Sequence, residues 1–354
     1  MERYQKHINL SEIGPTGQAK LKAAKVLVIG AGGLGCPVLQ YLTAAGVGTI
    51  GIVDHDTIEL SNLQRQILYP TDSIGRKKAE VAREVLLKLN PTIEIKAYCE
   101  AFQTSNCSQL AEAYDLIIDT TDNFTTRYLS SDVSLVHHKP LVYGAIYKFE
   151  GQVSVFNYQS GPSYRCLFPS PPKKGSTPNC EQIGVLGVLP GIIGCMQANE
   201  ALKIILGIGE VLSGKLYCYN ALNNKTSVIK IKANKDQVDK IVDRGLAFQL
   251  IEEQDFCAST PEISIRELKD PSIQFIDVRE LDEQPRLSSS SILEIPLDSL
   301  ESTLEKLSKD KKTVVFCKTN IRSKQAVSIL KQHQFNNCFS LREGASELKQ
   351  FLNL

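Results

Sequence analysis

Hydrophobic residues near the start of the chain come in short unbroken runs, separated by stretches of helix length. The run Val26–Ile29 has the length and the β-branched content of a strand buried on both faces of a parallel sheet. Glycines end this run, a helix-length segment follows at Cys36–Ala45, and a second apolar run, Thr49–Val53, stops at Asp54. The pattern predicts a strand, a glycine loop, a helix, a second strand and an acid, in that order.

The glycines between the first strand and the helix have the spacing of a phosphate-binding loop. Gly30 and Gly32 let the backbone turn tightly and approach a phosphate, while Gly35 lets the helix pack closely against the strand. The helix N-terminus offers free N–H groups to an anion, and Asp54 is placed to accept hydrogen bonds from ribose hydroxyls. We therefore predict a mononucleotide site that also includes Gly33; a merely structural turn is the alternative.

A second polar cluster follows the acid and contains two cations, Arg65 and Lys78. Hydride transfer to nicotinamide has no need of such cations, whereas a triphosphate gains negative charge in the transition state. The cluster therefore favours a triphosphate ligand. The alternative is that both side chains are ordinary surface cations.

A carboxylate is also predicted at the ligand side of the sheet. Asp122 follows a third buried strand, Asp115–Asp119, so it lies at the C-terminal edge of the parallel strands. Short polar residues at this position commonly cap the next helix. The same carboxylate is equally well placed to hold Mg²⁺, and the sequence leaves both roles open.

Two cysteines precede predicted helices. Cys180 lies in a loop rich in proline, glycine and lysine, residues 161–191, just before an apolar helix predicted over Val185–Leu206. The helix dipole favours a thiolate at such a position.

Cys317 ends a predicted strand, Lys312–Phe316, and begins a six-residue loop before a helix predicted over Lys324–Gln332. The loop would curl backbone N–H groups around the sulfur, and Lys318 and Arg322 would add positive charge. We predict a functional thiol that carries a thiolate or a persulfide. A buried cysteine at a strand end is the alternative.

Composition limits the class of protein. The chain has 354 residues, of which 42% are hydrophobic and 22% charged, so it is long enough for two domains. Its net charge of +1 argues against broad nucleic-acid binding, and no apolar run is long enough to span a membrane. The ten cysteines form no CxxC motif and lie mostly inside apolar strands and helices, as reduced thiols in a cytosolic protein do. We expect a cytoplasmic protein.

The chain resembles a known family at these motifs. Residues 1 to about 232 resemble the adenylyltransferases MoeB and ThiF, which are relatives of the ubiquitin-activating enzymes, and residues 262–354 resemble a rhodanese domain. The motifs that carry the first resemblance are RYQKHINL, VIGAGGLGCP, VDHDTIELSNLQRQ, IGRKKAE, DLIIDTTDN and EGQVSVF. The resemblance implies an α/β fold: a Rossmann-like adenylation domain with a mostly parallel sheet at 1–232, a linker at 233–261 and a small α/β rhodanese-like domain at 262–354.

The resemblance also implies roles for particular positions. Asp54 would hold the ribose of ATP, and Asp122 would serve Mg²⁺ and the adenylation step. Lys6 stands where the family has an arginine that enters the site from the N-terminal arm of a partner subunit, which implies a homodimer. Cys180 matches the cysteine of the family's crossover loop, which takes part in sulfur transfer or acyl capture. The residues implied around the phosphates are Asn62, Arg65, Gln66 and Lys78.

Two departures from the family pattern stand out. Members commonly hold a structural zinc with two CxxC pairs, but here the first pair is Ser163 and Cys166, and no cysteine lies between Lys232 and Leu250. Zinc takes four ligands, so we expect no zinc site. In the rhodanese half, the usual Gly-His-Ile segment is replaced by Ser288–Ile292, although the persulfide loop is retained.

The predicted function has two steps. ATP first adenylates the C-terminal glycine of a ubiquitin-like sulfur carrier that ends in Gly-Gly, and a persulfide on Cys317, loaded by a donor such as a cysteine desulfurase, then yields the carrier thiocarboxylate. The alternatives are a non-catalytic scaffold that binds sulfur carriers, an NAD-dependent oxidoreductase and an adenylating tRNA-modifying relative. The sequence leaves open whether the product serves molybdopterin, thiamine or thiolated tRNA, and whether Cys180 or Cys317 bears the sulfur.

Overall fold

The structure is a computed structural model that describes residues 2–172, 184–245, 261–268, 272–287, 289, 292–318 and 320–352. The helices are α1 (Gln5–Ile8), α2 (Gly14–Ala23), α3 (Gly35–Ala45), α4 (Lys78–Leu89), α5 (Cys107–Glu112), α6 (Phe124–Val136), α7 (Tyr164–Leu167), α8 (Val188–Leu206), α9 (Lys235–Arg244), α10 (Ile321–Gln332) and α11 (Ala345–Phe351). The strands are β1 (Lys25–Ile29), β2 (Thr49–Val53), β3 (Glu94–Tyr98), β4 (Leu116–Asp119), β5 (Leu141–Tyr147), β6 (Glu150–Phe156), β7 (Lys215–Asn220), β8 (Lys225–Lys230), β9 (Glu262–Ile263), β10 (Gln274–Asp277), β11 (Ile292–Glu294), β12 (Thr313–Phe316) and β13 (Cys338–Leu341). They form two compact units, of which the first contains β1 to β8 with α1 to α9.

The sheet of the first unit has the strand order β3-β2-β1-β4-β5-β6-β7-β8. Strands β3, β2, β1, β4 and β5 run parallel to one another, and β6, β7 and β8 follow, each antiparallel to the strand before it. The strand order reverses between β1 and β4, and ligands of doubly wound sheets bind in the crevice at such a reversal, beyond the C-terminal ends of the strands. The predicted glycine loop and Asp122 both follow strands that end there.

Strand β1 is buried on both of its faces, as its unbroken apolar sequence predicts. Val26 and Val28 belong to one hydrophobic cluster, together with Leu39 of α3, whereas Leu27 and Ile29 belong to a second cluster. The α3 helix ends at Gly46, which adopts the left-handed conformation with φ +81° and caps the helix. Strand, helix and strand therefore occupy the positions that the hydrophobic pattern predicts.

The hairpin of β7 and β8 is not predicted by the hydrophobic pattern. All six residues of β8 are exposed, so the strand lacks the apolar signal of a buried strand. The local sign of the hairpin is the Asn223-Asn224 turn, in which Asn224 adopts φ +55°. Helix α9 is also unexpected, because it lies in the predicted irregular linker of residues 233–261. The helix buries Ile241, and the backbone N–H of its N-cap, Asn234, donates to Cys166 Sγ.

The second unit has a parallel sheet of its own with the strand order β11-β10-β12-β13-β9. Alternate residues of β12 face two different clusters, Val315 in one and Val314 with Phe316 in the other. Helix α10 begins at Ile321, three residues earlier than predicted. Asn320 adopts a left-handed conformation with φ +63° and reverses the chain within a shorter loop. Arg322 therefore belongs to the first turn of the helix rather than to the loop.

Within the described ranges, the structure has no helix that is both long enough and apolar enough to cross a membrane.

Candidate functional site

The glycine loop after β1 is a place where only glycine fits. Gly30 has φ +95°, and a Cβ atom there would lie 2.9 Å from Thr120 Oγ1. A Cβ atom on Gly35 would lie 2.4 Å from the Gly30 carbonyl oxygen, so α3 packs directly on the loop. The Thr120 hydroxyl contacts the carbonyl oxygens of Ile29 at 2.8 Å and Gly30 at 2.7 Å. The loop and the end of β4 are thus joined.

Asp54 is buried beside this loop and is already hydrogen-bonded to it. One carboxylate oxygen accepts the backbone N–H of Ala31 at 2.8 Å, and the other accepts that of Asp56 at 2.9 Å. A carboxylate has about four lone-pair positions, so acceptor capacity remains for ribose hydroxyls. The structure therefore places Asp54 at the glycine loop in the position that a ribose-binding acid requires.

Tyr69 also bonds to this loop, although no motif in the sequence predicts it. Its hydroxyl donates to the Ala31 carbonyl oxygen at 2.7 Å. Burial raises the pKa of Tyr69 well above its usual range, so the hydroxyl stays protonated and remains a donor. Nothing in the local sequence, a tyrosine between Leu68 and Pro70, distinguishes this residue from one in the hydrophobic core.

The residues predicted around the phosphates lie on the segment after Asp54. Asn62 ends a 3₁₀ helix, and its side-chain oxygen accepts the backbone N–H of Glu59 at 3.2 Å. Arg65 and Gln66 flank the glycines: Arg65 Cγ lies 3.5 Å from the place of a Cβ on Gly33, and Gln66 Nε2 lies 3.7 Å from that on Gly32. Gln66 is buried, and within the described residues its Oε1 has no hydrogen-bond partner.

Lys78 is a buried cation rather than a surface one. Its side chain is 7% exposed, and its ammonium donates to Asp56 Oδ2 at 2.8 Å. Burial alone would raise the pKa of Asp56, but the hydrogen bond and charge of Lys78 outweigh it and hold that pKa below its ordinary value. Asp56, also missed by sequence reasoning, orients the Lys78 ammonium. Its signal is the Asp-His-Asp run that begins at Asp54.

Asp122 lies exposed beyond β4, at the C-terminal edge of the sheet. The residue that caps α6 is its neighbour Asn123, whose side chain accepts the Thr126 N–H at 2.8 Å. Capping therefore does not account for Asp122. Magnesium usually binds through one or two carboxylates together with substrate phosphates and waters, and an exposed Asp122 fits that role.

The residues at the family's zinc position do not fit a zinc ion. Cys166 Sγ accepts the backbone N–H groups of Ser163 at 3.3 Å and of Asn234 at 3.2 Å. One sulfur and one hydroxyl replace the cysteine pair, and zinc in a structural site takes four Cys or His ligands. Across the described ranges, no three His, Cys, Asp or Glu residues are grouped as a metal site would need.

The N-terminal arm places its two candidate cations differently. Arg3 donates to the carbonyl oxygen of Leu89 at 3.0 Å and so binds the C-terminal end of α4. Lys6 is exposed on α1. Of the two, Lys6 is thus the cation that remains available for a phosphate.

Cys317 is buried at the end of β12. It is 1% exposed, and its sulfur accepts the N–H of Ser323 at 3.4 Å and lies 3.5 Å from the Ser323 hydroxyl. Arg322 donates to both carboxylate oxygens of Glu283, one of them at 2.8 Å, and lowers the pKa of Glu283 to about 2. Lys318 is exposed. The guanidinium predicted to stabilise the thiolate is therefore paired with a carboxylate that sequence reasoning did not identify. Cys180, Thr319, Ser288, Ser290 and Ser291 lie outside the described residues.

The sheet order, the glycine loop and the acid after β2 define the first unit as a doubly wound α/β protein of the nucleotide-binding class. The chain belongs to the ThiF family, whose model matches residues 4–240, and a rhodanese-like domain matches residues 260–350.

The relatives extend these matches. The sulfur carrier protein adenylyltransferase of Thermus thermophilus is 48% identical over 66% of this chain and 88% of its own length. The protein named probable adenylyltransferase/sulfurtransferase MoeZ, from Mycobacterium tuberculosis, is 40% identical over 97% of this chain and 91% of its own. The crystal structure of E. coli MccB with ATP has a TM-score of 0.56 and 21% identity over 64% of this chain and 74% of that one, which shows a shared fold.

Proposed function

We propose that the chain activates the C-terminal glycine of a ubiquitin-like sulfur carrier with ATP and then converts it to a thiocarboxylate. The observation that carries the proposal is the glycine loop bonded to Asp54, together with the buried Lys78, which is paired with Asp56 next to that acid. The rhodanese-like cysteine in the same chain supports the second step, as does similarity to MoeZ along nearly the whole length.

In the first step, a carboxylate oxygen of the carrier attacks the α-phosphorus of ATP, and the bond to the β-phosphate breaks. Pyrophosphate leaves and an acyl-adenylate remains. A carboxylate needs no general base, so the residues act by positioning and charge stabilisation. Asp54 binds the ribose, Asp122 holds Mg²⁺, and the phosphates are bound by Asn62, Arg65, Gln66 and Lys78, with Lys6 of the partner subunit in a homodimer.

In the second step, the terminal sulfur of a Cys317 persulfide, loaded by a cysteine desulfurase, attacks the acyl carbon and AMP leaves. The thiolate of Cys180 then attacks the Cys317 sulfur. The carrier departs as its thiocarboxylate, and the Cys180–Cys317 disulfide that forms is reduced by a cellular dithiol. All the cysteines in the described part of the chain are free thiols, in agreement with a cytoplasmic site for this chemistry.

The test mixes the chain with ATP, Mg²⁺ and a sulfur carrier that ends in Gly-Gly, and measures pyrophosphate. We expect release that requires the carrier, and none with a matched carrier lacking its last glycine. Carrier binding without pyrophosphate would favour a scaffold, and binding of NAD without ATP would favour an oxidoreductase. Either result would overturn the proposal.

A further inference from the structure

A buried glutamine next to the site has no role in the chemistry above. Gln197 lies on α8 and is completely buried. Its Nε2 donates to the carbonyl oxygen of Asp119 at 2.7 Å, whereas its Oε1 has no partner within the residues that the structure describes. Burial of an unsatisfied amide oxygen disfavours folding, and an apolar side chain would avoid that cost. The feature that distinguishes glutamine here is therefore its donor.

The surroundings fix the direction of that donor. Gly144 of β5 lies directly beneath the amide, and a Cβ atom there would be 2.3 Å from Gln197 Cδ. Strand β5 pairs with β4, where Tyr143 lies opposite Asp119. The absence of a side chain at Gly144 thus lets the amide approach the β5 backbone closely, with Nε2 directed at the last carbonyl group of β4.

That carbonyl group begins the turn that leads to Asp122. The first three residues of the turn, Asp119, Thr120 and Thr121, each take part in further hydrogen bonds. The Asp119 carboxylate accepts both the N–H and the hydroxyl of Thr121, at 2.9 and 2.7 Å, and burial raises the Asp119 pKa. Thr120 is bound to the glycine loop through its hydroxyl, and Arg127 donates to the Thr121 carbonyl oxygen at 2.9 Å. Gln197 adds a side-chain bond to this turn from α8.

We propose that Gln197 is a positioning residue for Asp122. By holding the Asp119 carbonyl group, it fixes the orientation of the turn and so the direction in which the exposed carboxylate faces the nucleotide. The proposal rests on the function given above to the extent that Asp122 serves adenylation. The orientation of the turn itself is independent of that function.

The test replaces Gln197 with methionine, which has nearly the same length but no donor. We expect the amide of Thr121 to exchange with solvent about tenfold faster, because its turn loses one anchor. The amide of Gly30, which donates to the Val53 carbonyl oxygen, should keep its rate. The matched control is Gln18→Met, since Gln18 is also buried and also donates to a backbone carbonyl, that of Ala45 at 2.9 Å.

The second readout is the kinetics of carrier-dependent pyrophosphate release. In Gln197→Met, kcat should fall about tenfold while KM for ATP changes less than about twofold, and Gln18→Met should change neither. An unchanged exchange rate of Thr121 overturns the proposal whether or not the enzyme is active. Faster exchange with unchanged kcat overturns the catalytic consequence. A parent chain that releases no pyrophosphate overturns the proposed function instead, and the exchange rates still decide the role of Gln197.

Discussion

The two candidate sites of this chain are built differently. In the first unit, Asp54, Gln66 and Lys78 are each less than a tenth exposed, and the glycine loop beside them is bonded from several sides. In the second unit, the sulfur of Cys317 is buried, but Arg322, one of its two predicted cations, is paired with Glu283. The polar side chains of the first site are buried and held in place, whereas the second site has a buried sulfur and a guanidinium that is already paired.

The largest expected effect is the loss of the buried cation. Lys78→Ala should lower carrier-dependent pyrophosphate release on the order of 10³-fold, because a desolvated charge at the developing pyrophosphate is removed. Lys77→Ala is the matched control, since Lys77 is the adjacent residue and its ammonium donates to the His55 carbonyl group. Equal losses in the two variants would contradict the role given to Lys78.

The next effect concerns the shape of the glycine loop. Gly30→Ala should lower the free energy of unfolding by about 3 kcal/mol, because a left-handed backbone and a clash with Thr120 act together. Gly75→Ala is the control, with φ +86° but open space around the missing Cβ, and should cost about 1 kcal/mol. Urea unfolding followed by tyrosine fluorescence isolates the first unit, since all 12 tyrosines lie within residues 4–219.

A smaller effect is expected at the second site. Glu283→Gln should release Arg322 toward Cys317 and speed alkylation of that cysteine roughly fivefold, since a nearby guanidinium favours the thiolate. Peptide mass spectrometry resolves Cys317 from the other cysteines. Glu280→Gln, which removes an exposed carboxylate on the same loop, should leave the rate unchanged. If Glu283→Gln leaves it unchanged too, the ion pair does not restrain the site.

The smallest effect is a dependence of stability on pH. Lys78 lowers the pKa of Asp56 in the folded chain, so this pair stabilises the fold above the unfolded pKa near 4 and ceases to do so as the pH falls through the folded value. Between pH 5 and pH 3, the wild type should therefore lose more stability than Asp56→Asn. The difference should stay under about 1 kcal/mol, because the Asp56 carboxylate is half exposed. Identical losses in urea unfolding would contradict it.

The parts of the fold that the sequence predicts are those with strong periodic signals. Strands β1, β2 and β4 are buried runs rich in Val, Ile and Leu, and the glycine loop with Asp54 has the residue spacing of a phosphate-binding loop. Strand β8 is not predicted from the sequence, because it is exposed along its whole length and so lacks the apolar pattern of a buried strand.

The site residues divide in the same way. Those that touch the expected ligand, such as Asp54 and Lys78, are visible as motifs. Their supports, such as Tyr69, Gln197 and Glu283, act across elements far apart in sequence, so their partners become evident only in the folded chain. The start of α10 at Ile321 is not predicted either, because it depends on the left-handed backbone of Asn320, which is seen only in the folded chain.

The central claim is that one chain both activates the carrier and delivers its sulfur. Intact mass spectrometry of the carrier tests it most directly, after incubation with ATP, Mg²⁺, a cysteine desulfurase with cysteine, a dithiol and either the wild type or Cys317→Ser. The wild type should replace one carrier oxygen with sulfur, whereas Cys317→Ser should release pyrophosphate and yield only adenylated or hydrolysed carrier, with no thiocarboxylate. Equal thiocarboxylate from both would contradict the account.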